Sequence, residues 1–344
     1  MNRKTVVAEE LEAAGLKAQY DGHAKRVLGS RQVLARILQG AVDEYSGYEA
    51  REIEGWIEPD IEIASVPVRP GAKEDAEDRL ITGDGTESKV PGEGTVTYDI
   101  KFQAHVPGGT GPAAPASVKL LINVEAQKKF YMKYRIVTRG VFYGARMISD
   151  QLDREFTGSN YNGLKKVYSI WICMNAPKHI GNAMSEYRIV KQDIIGSIPE
   201  AKRNYDKLSV IVICLNERAE DKANDQANGK AHGDLHGFLN TLLSTRMTAK
   251  EKEETLARDY GIEIEREVGE ELKEMCNLSE AIEEKAIQKG KREGKREGIK
   301  QGEENFAALT ERLLKDYRNE DLLMATRDRG YRERLYREYH IREI

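Results

Sequence analysis

The chain has 344 residues, of which 40% are hydrophobic and 33% are charged, and its formal net charge is −4. This composition excludes a wholly disordered chain, and the longest apolar runs are far shorter than the roughly 18 residues that a membrane span needs. The N-terminal residues contain no apolar segment before a small-residue cleavage site. We therefore expect a soluble, cytoplasmic protein that is neither secreted nor inserted in a membrane.

Apolar periodicity and turn residues predict an α/β fold. The first helix is predicted over 30–45 with Ser30 as its N-cap, and residues 67–94, rich in Gly, Pro and acids, are predicted to form a loop or insertion. The elements that follow are strands at 95–106, 117–129, 167–174 and 209–215, with a helix at about 131–153 between the second and third strands. This order is typical of a mixed sheet flanked by helices, and the chain from 235 onward is predicted to be helical.

Composition also divides the chain along its length. The predicted parts are an N-terminal extension at 1–24, an α/β domain at 25–234, a helical region at 235–284, a basic Gly-repeat connector at 285–302 and C-terminal helices at 303–344. The connector has seven Lys or Arg and two Glu, and its four glycines each cost a helix about 1 kcal/mol relative to Ala. A flexible basic connector is the prediction; close helix pairing in a homo-oligomer formed through the C-terminal helices, or auxiliary DNA contact, is the alternative.

Three cysteines, Cys173, Cys214 and Cys276, are widely separated in the sequence, and the first two lie inside predicted apolar strands. No CxxC spacing is present, which disfavours both a zinc ribbon and a disulfide framework. The pattern therefore predicts three buried free thiols.

Two carboxylates interrupt neighbouring apolar strands. Glu125 lies in VKLLINVEAQ, and Asp99 lies between Tyr98 and Ile100 one strand earlier. A carboxylate in a buried strand is costly unless it is paired or bound to a metal ion, and carboxylate oxygens suit Mg²⁺. The two acids indicate either a site for a hard cation or an ordinary polar face of an exposed sheet.

The sequence segments around these two acids resemble those of a known family. The segments TYDIKF, INVEAQKKFY, RGVFYGARMIS and KKVYSIWIC occur in this order. Over roughly 25–280 the chain resembles the bacterial recombination-promoting nuclease/putative transposase family of the PD-(D/E)XK superfamily. The resemblance implies a restriction-endonuclease-like core within 25–234 and DNA cleavage that depends on Mg²⁺, with Mn²⁺ as a substitute in vitro.

The resemblance also implies roles for individual residues. Asp99 and Glu125 match the motif aspartate and glutamate, both metal ligands, and Gln127 takes the place of the usual lysine. The sequence departs from the superfamily pattern in having no Pro before Asp99, and Lys128 is expected on the opposite strand face from Gln127. Either Gln127 alone orients the attacking water, or a nearby lysine assists it.

The helix predicted at 131–153 has two distinct faces at 100° per residue. The apolar arc, expected to pack on the sheet, contains Val137, Val141, Ala145, Ile148 and Leu152. The opposite arc contains Arg135, Arg139, Tyr143 and Arg146. Six Lys or Arg and no acid occur between Ala126 and Ser149, which is the charge pattern that phosphate-backbone binding requires. We expect this arc and Lys128 to contact DNA; the alternative is a solvated helix face.

Glu44 is a further candidate, because it falls in the same arc as Val33 and Ile37 of the first predicted helix. It is therefore expected to face the core. Since an acid on this helix often joins the metal site in the superfamily, the resemblance makes Glu44 a candidate catalytic residue. A salt bridge between Glu44 and one of the arginines of the later helix is the alternative.

The sequence thus predicts a Mg²⁺-dependent DNA endonuclease linked to recombination or transposition of mobile DNA. In this hypothesis the metal activates a water and stabilises charge on the scissile phosphate. A catalytically inert, domesticated DNA-binding or oligomerising protein of the same fold is the main alternative. An RNA nuclease is a third, since the chemistry does not exclude RNA.

Overall fold

The computed structural model describes residues 6–64, 87–90, 94–106, 118–127, 130, 134–217 and 235–341. The chain divides into two compact units, Met1–Glu280 and Ala281–Ile344, which are described separately. The mixed α/β class predicted from the sequence is confirmed. Of the predicted loop at 67–94, residues 67–86 and 91–93 lie outside the described residues.

The sheet is the centre of the first unit. The strands are β1 (Glu62–Ile63), β2 (Glu87–Val90), β3 (Gly94–Thr97), β4 (Ile100–Val106), β5 (Val118–Gln127), β6 (Lys166–Cys173), β7 (Ala183–Arg188) and β8 (Leu208–Cys214). Among the described residues, six strands form one sheet in the order β1-β4-β5-β6-β8-β7, and β2 and β3 form a separate antiparallel pair. Strand β4 is antiparallel to β5, whereas β5, β6 and β8 are parallel to one another. The sheet is therefore mixed, as predicted.

Along the chain, helices come before the first strand, between strands and after the last strand. They are α1 (Val6–Leu28), α2 (Arg31–Ala41), α3 (Ala50–Trp56), α4 (Ile136–Ser149), α5 (Lys202–Tyr205), α6 (Leu235–Leu243), α7 (Ala249–Tyr260), α8 (Arg266–Lys315), α9 (Asn319–Arg327) and α10 (Arg329–Glu338). Helix α1 runs through the predicted boundary between 24 and 25, and its residues Tyr20 and Ala24 are buried. At least this part of the predicted extension therefore belongs to the packed core.

Helix α4 covers one face of the sheet. Side chains alternate along β6, so that Val167 and Trp171 lie on the face covered by α4, while Tyr168 lies on the other. The core on the α4 side consists of Tyr98, Ile136, Tyr143, Met147, Val167, Trp171, Cys173, Ala176, Val210, Val212 and Cys214. Tyr168 contacts Glu44, which follows α2, so the segment after α2 lies against the opposite face.

The prediction of which α4 face packs on the sheet was wrong. Val141 is 45% exposed and Leu152 49% exposed, and only Val137 and Ile148 of that arc pack against the core. The buried face instead contains Ile136, Gly140, Tyr143, Gly144 and Met147. Glycines at two successive turns bring the helix close to β6 and β8. The prediction counted only apolar side chains, so it did not include these glycines and indicated the wrong face.

Close packing at Gly140 predicts a stability effect. A Cβ atom there would lie 2.5 Å from Cγ1 of Val210 and 2.8 Å from Nε1 of the fully buried Trp171. We expect Gly140→Val to lower the free energy of unfolding by about 1–3 kcal/mol through overpacking. Urea unfolding followed by tryptophan fluorescence measures this.

The matched control is Gly55→Ala in α3, where a Cβ would meet nothing within 4 Å. It should leave stability unchanged or raise it by up to about 1 kcal/mol. Equal stability of the Gly140→Val variant and the unsubstituted protein would contradict the packing of α4 described above.

The second unit continues α8 and ends in a small helical cluster. The predicted connector 285–302 lies within α8, so it is helical, contrary to the prediction of a flexible segment. Salt bridges Lys289–Glu293 and Lys300–Glu304, at 3.9 and 3.8 Å, offset part of the glycine cost. The core of this unit contains Leu309, Leu313, Ala325, Leu335 and Tyr336.

Within the described ranges, no helix is long and apolar enough to cross a membrane.

Candidate active site

Asp99 lies in a bend immediately before β4. Strand β4 begins with Ile100 paired to Val124 of β5, so Asp99 and Glu125 are the residues next to this last pair on their two segments. The Asp99 Oδ2 atom accepts a hydrogen bond from the backbone N–H of Ala126 at 3.1 Å. The Asp99 carbonyl oxygen accepts another from the N–H of Ala64 at 2.9 Å. The carboxylate is thus fixed against the backbone of the strand that carries Glu125.

The Asp99 carboxylate forms an ion pair with Lys25 of α1, and the sequence analysis did not predict this partner. Its Nζ atom lies 2.6 Å from Oδ1 of Asp99, and the two side chains are only 15% and 18% exposed. The pair joins residues 74 positions apart, and Lys25 belongs to no motif, so local periodicity could not have revealed it. Asp99 and Lys25 therefore form a largely buried ion pair next to the end of β5.

Glu125 and Gln127 are placed by the backbone of β5. In the parallel pairing with β6, Glu125 is the partner of Trp171 and Gln127 is the partner of Cys173. Their side chains lie outside the described part of the structure, as does Lys128. Both predicted residues are therefore at the C-terminal end of β5, close in register to Asp99.

Arg139 on α4 is held in an aromatic cage next to this end of the sheet. It donates hydrogen bonds to the hydroxyl groups of Tyr134, at 2.8 Å, and Tyr143. Its guanidinium carbon lies 4.7 Å from the ring centre of Tyr143 and 5.1 Å from that of Trp171. Because Trp171 is the register partner of Glu125, the caged cation lies near the backbone position of that acid.

The other members of the predicted basic arc do not form a common surface. Arg135 is exposed at the N-cap of α4, but Tyr143 and Arg146 are only 7% and 3% exposed. The prediction of one solvent-facing arc is wrong in this respect, because the arc overlaps the side of α4 that Gly140 brings onto the sheet. Arg135 and, in part, Arg139 remain accessible to a ligand.

Glu44 belongs to a different cluster. Helix α2 ends at Ala41, and Glu44 lies in a short 3-10 turn, where its carboxylate contacts Nζ of Lys166 at 2.9 Å and the hydroxyl of Tyr168. Lys166 pairs with Leu120, five positions before the pair of Trp171 and Glu125. At about 3.3 Å per residue, the cluster lies roughly 16 Å along the sheet from Asp99. Glu44 is therefore ion-paired to a lysine and is not brought to Asp99.

The partners of Glu44 are also buried. Lys166 Nζ reaches the Asp206 carboxylate at 3.1 Å, and Asp206 is only 3% exposed. Burial, and the neighbouring Glu44 carboxylate, raise the pKa of Tyr168 well above its ordinary value, so its hydroxyl stays a hydrogen-bond donor. These contacts assign the cluster a structural role at the N-terminal end of β6.

A magnesium ion in this fold would need oxygen ligands beyond Asp99. In the part of the chain that the structure describes, no group of three or more His, Cys, Asp or Glu is arranged to hold a metal ion. Magnesium sites usually require only one or two carboxylates, with waters and substrate phosphates completing the shell. The Asp99 carboxylate has this chemistry, and in the structure the ammonium group of Lys25 lies on it at 2.6 Å.

No family model matches the sequence, and neither the curated proteins nor the solved structures yield a match.

Proposed function

We propose that this protein is a Mg²⁺-dependent DNA endonuclease with a restriction-endonuclease-like core, acting in recombination or transposition of mobile DNA. The observation that supports the proposal is the hydrogen bond from the N–H of Ala126, the residue after Glu125, to the Asp99 carboxylate, next to the antiparallel pair Ile100–Val124. The antiparallel pair β4–β5, followed by the crossover through α4 to the parallel strand β6, supports the proposed core.

Asp99 and Glu125 would hold the ion, Mg²⁺ or Mn²⁺ in its place. Such an ion supplies a nucleophilic water and stabilises charge on the scissile phosphate. Gln127, two residues beyond Glu125 on β5, would orient that water through its amide. With a metal ion held by Asp99, the ammonium group of Lys25 would lie where it could donate to a phosphate oxygen.

DNA would be held by the accessible arginines at the start of α4. Arg135 is exposed, and the cage of Tyr134 and Tyr143 holds the guanidinium of Arg139 in one orientation. A preoriented guanidinium suits the planar, bidentate recognition of a phosphate. Non-specific contacts of this type favour the backbone over particular bases.

One observation favours the inert alternative. The Lys25 ammonium already neutralises the Asp99 carboxylate at 2.6 Å, which is also what a protein that binds DNA without cutting it would keep. The two functions differ in a single assay, because only the nuclease converts supercoiled plasmid to nicked circles.

The test is incubation of the purified full chain with supercoiled plasmid in Mg²⁺ or in EDTA. We expect nicked and linear products in Mg²⁺ and none in EDTA, and a single-stranded RNA of similar length serves as a second substrate. Binding without cleavage would support the inert protein, and cleavage confined to the RNA would support an RNA nuclease. Either result would overturn the proposed activity.

The burial difference between two arginines gives a prediction for binding. Arg135→Ala should reduce the slope of log DNA affinity against log salt concentration by about 0.9. This value corresponds to the loss of one phosphate contact on duplex DNA. Arg146→Ala should leave that slope unchanged and lower the melting temperature instead, because Arg146 is 3% exposed and packs on Phe142. Fluorescence anisotropy at several salt concentrations measures the slope. An altered slope in Arg146→Ala alone would contradict the placement of α4.

A further inference from the structure

Two of the three cysteines face each other across neighbouring strands. Cys173 ends β6 and Cys214 ends β8, and the two residues are direct partners in the parallel pairing. They are 0% and 5% exposed, and both belong to the core under α4. All three cysteines are free and buried, as the sequence predicted.

The spacing of parallel strands suits a covalent bond between these thiols. Neighbouring strands lie about 4.8 Å apart. Disulfides span Cα–Cα distances of about 4.4–6.8 Å, so the strands need not separate for a bond to form.

The two thiols are also chemically unequal. The S–H of Cys173 donates to the sulfur of Cys214, and this contact lowers the pKa of Cys214. The same contact, together with burial, raises the pKa of Cys173. A thiolate stabilised by a neighbouring thiol is the reactive partner in dithiol chemistry. Because Cys214 is 5% exposed and Cys173 is 0% exposed, a solute reaches Cys214 first, and we assign it the attacking role and Cys173 the resolving role.

We propose that Cys173 and Cys214 form a redox modification site that a peroxide converts to a cross-strand disulfide. The Cys214 thiolate attacks one peroxide oxygen, the O–O bond breaks, and protonation of the leaving hydroxide gives water and a sulfenic acid. The Cys173 sulfur then attacks the sulfenyl sulfur, its proton leaves with the hydroxide as a second water, and the S–S bond forms. One peroxide is reduced to two waters while two thiols are oxidised.

The position of the pair connects it to the proposed nuclease. Gln127, Cys173 and Cys214 occupy one row across β5, β6 and β8. A disulfide shortens the side-chain spacing next to Gln127 and restrains this end of the sheet, where the proposed metal ligands lie. The inference that oxidation slows DNA cleavage rests on the proposed function; the inference that the disulfide forms does not.

The test treats the folded full chain with hydrogen peroxide, then denatures it and alkylates the remaining thiols with N-ethylmaleimide. We expect intact-mass analysis to find one alkylated cysteine, Cys276, and a chain two hydrogens lighter, with peptide mapping showing Cys173 linked to Cys214. Alkylation of all three cysteines, or oxidation confined to Cys276, would overturn the proposal.

Variants separate the pair from the third cysteine. Cys276→Ser should still form the disulfide, whereas Cys214→Ala should keep Cys173 alkylatable; if Cys214→Ala does not fold, Cys173→Ala provides the same comparison. Disulfide formation in both Cys214→Ala and Cys173→Ala would mean that Cys276 is the partner and would overturn the assignment.

Plasmid nicking before and after oxidation tests the link to cleavage. We expect the oxidised protein to nick at least about tenfold more slowly and dithiothreitol to restore the rate. An unchanged rate with the disulfide present would overturn the regulatory link alone. Absence of nicking by the fully reduced protein would count against the proposed function, while the thiol measurements would still decide whether the modification site exists.

Discussion

Replacing either of the two proposed metal ligands, Asp99 or Glu125, should remove Mg²⁺-dependent nicking. Asp99→Asn and Glu125→Gln keep the size of the side chain and remove the negative charge that would bind the ion. Metal stabilisation of a phosphoryl transition state is worth several kcal/mol, and each 1.36 kcal/mol is tenfold in rate, so the expected loss is at least about 100-fold. Plasmid nicking at saturating Mg²⁺ measures it, and calorimetric titration with Mg²⁺ should show weaker binding by both variants.

Folding has to be separated from catalysis in this experiment. The amide oxygen introduced by Asp99→Asn can still accept the hydrogen bond from the N–H of Ala126, but Lys25 loses its ionic partner, so a modest decrease in melting temperature is expected. Asp60→Asn is the matched control, since Asp60 is an exposed acid in the loop before β1. It should nick at the rate of the unsubstituted protein. Mg²⁺-dependent nicking retained by either site variant would place the catalytic centre elsewhere.

Long apolar runs made the centre of the sheet predictable. Strands β5, β6 and β8 were each predicted to within two residues of their observed ends, because a buried parallel strand needs a continuous apolar run. Strand β7 was missed, since its sequence AMSEYR has no such run and it becomes a strand by pairing with β8 at the edge.

Contacts over long sequence distances were not predictable in the same way. The helix after β5 was correctly predicted from its periodicity, but its buried face was not. That face is set by Gly140 and Gly144, where the absence of a side chain permits close packing on the sheet. Glu44 was assigned by extending a helical period past Ala41, although Val42 is extended and stops the helix. Lys25 reaches Asp99 only because α1 and the start of β4 meet in three dimensions.

Loss of the charge on Lys166 should produce a large decrease in stability. Lys166 is 12% exposed and bridges Glu44 and Asp206, at 2.9 and 3.1 Å, so Lys166→Met leaves two carboxylates with less compensation while preserving most of the aliphatic stem. Removing one partner of a buried ion pair costs about 3–5 kcal/mol. Because Glu44 keeps 28% exposure, we expect the lower end, about 3 kcal/mol, in urea unfolding followed by tryptophan fluorescence.

The neighbouring Lys202 provides the control for this prediction. It also contacts Asp206, at 3.5 Å, but is 60% exposed, so Lys202→Met should cost no more than about 1 kcal/mol. Adding Asp206→Asn to Lys166→Met should recover part of the loss, because it removes the carboxylate that is only 3% exposed and has lost its closest cation. Strictly additive losses in the double variant, or equal costs for the two lysines, would show that Lys166 does not balance these carboxylates. Since both tryptophans, Trp56 and Trp171, lie in the unit Met1–Glu280, their fluorescence reports the unfolding of the unit that contains the cluster.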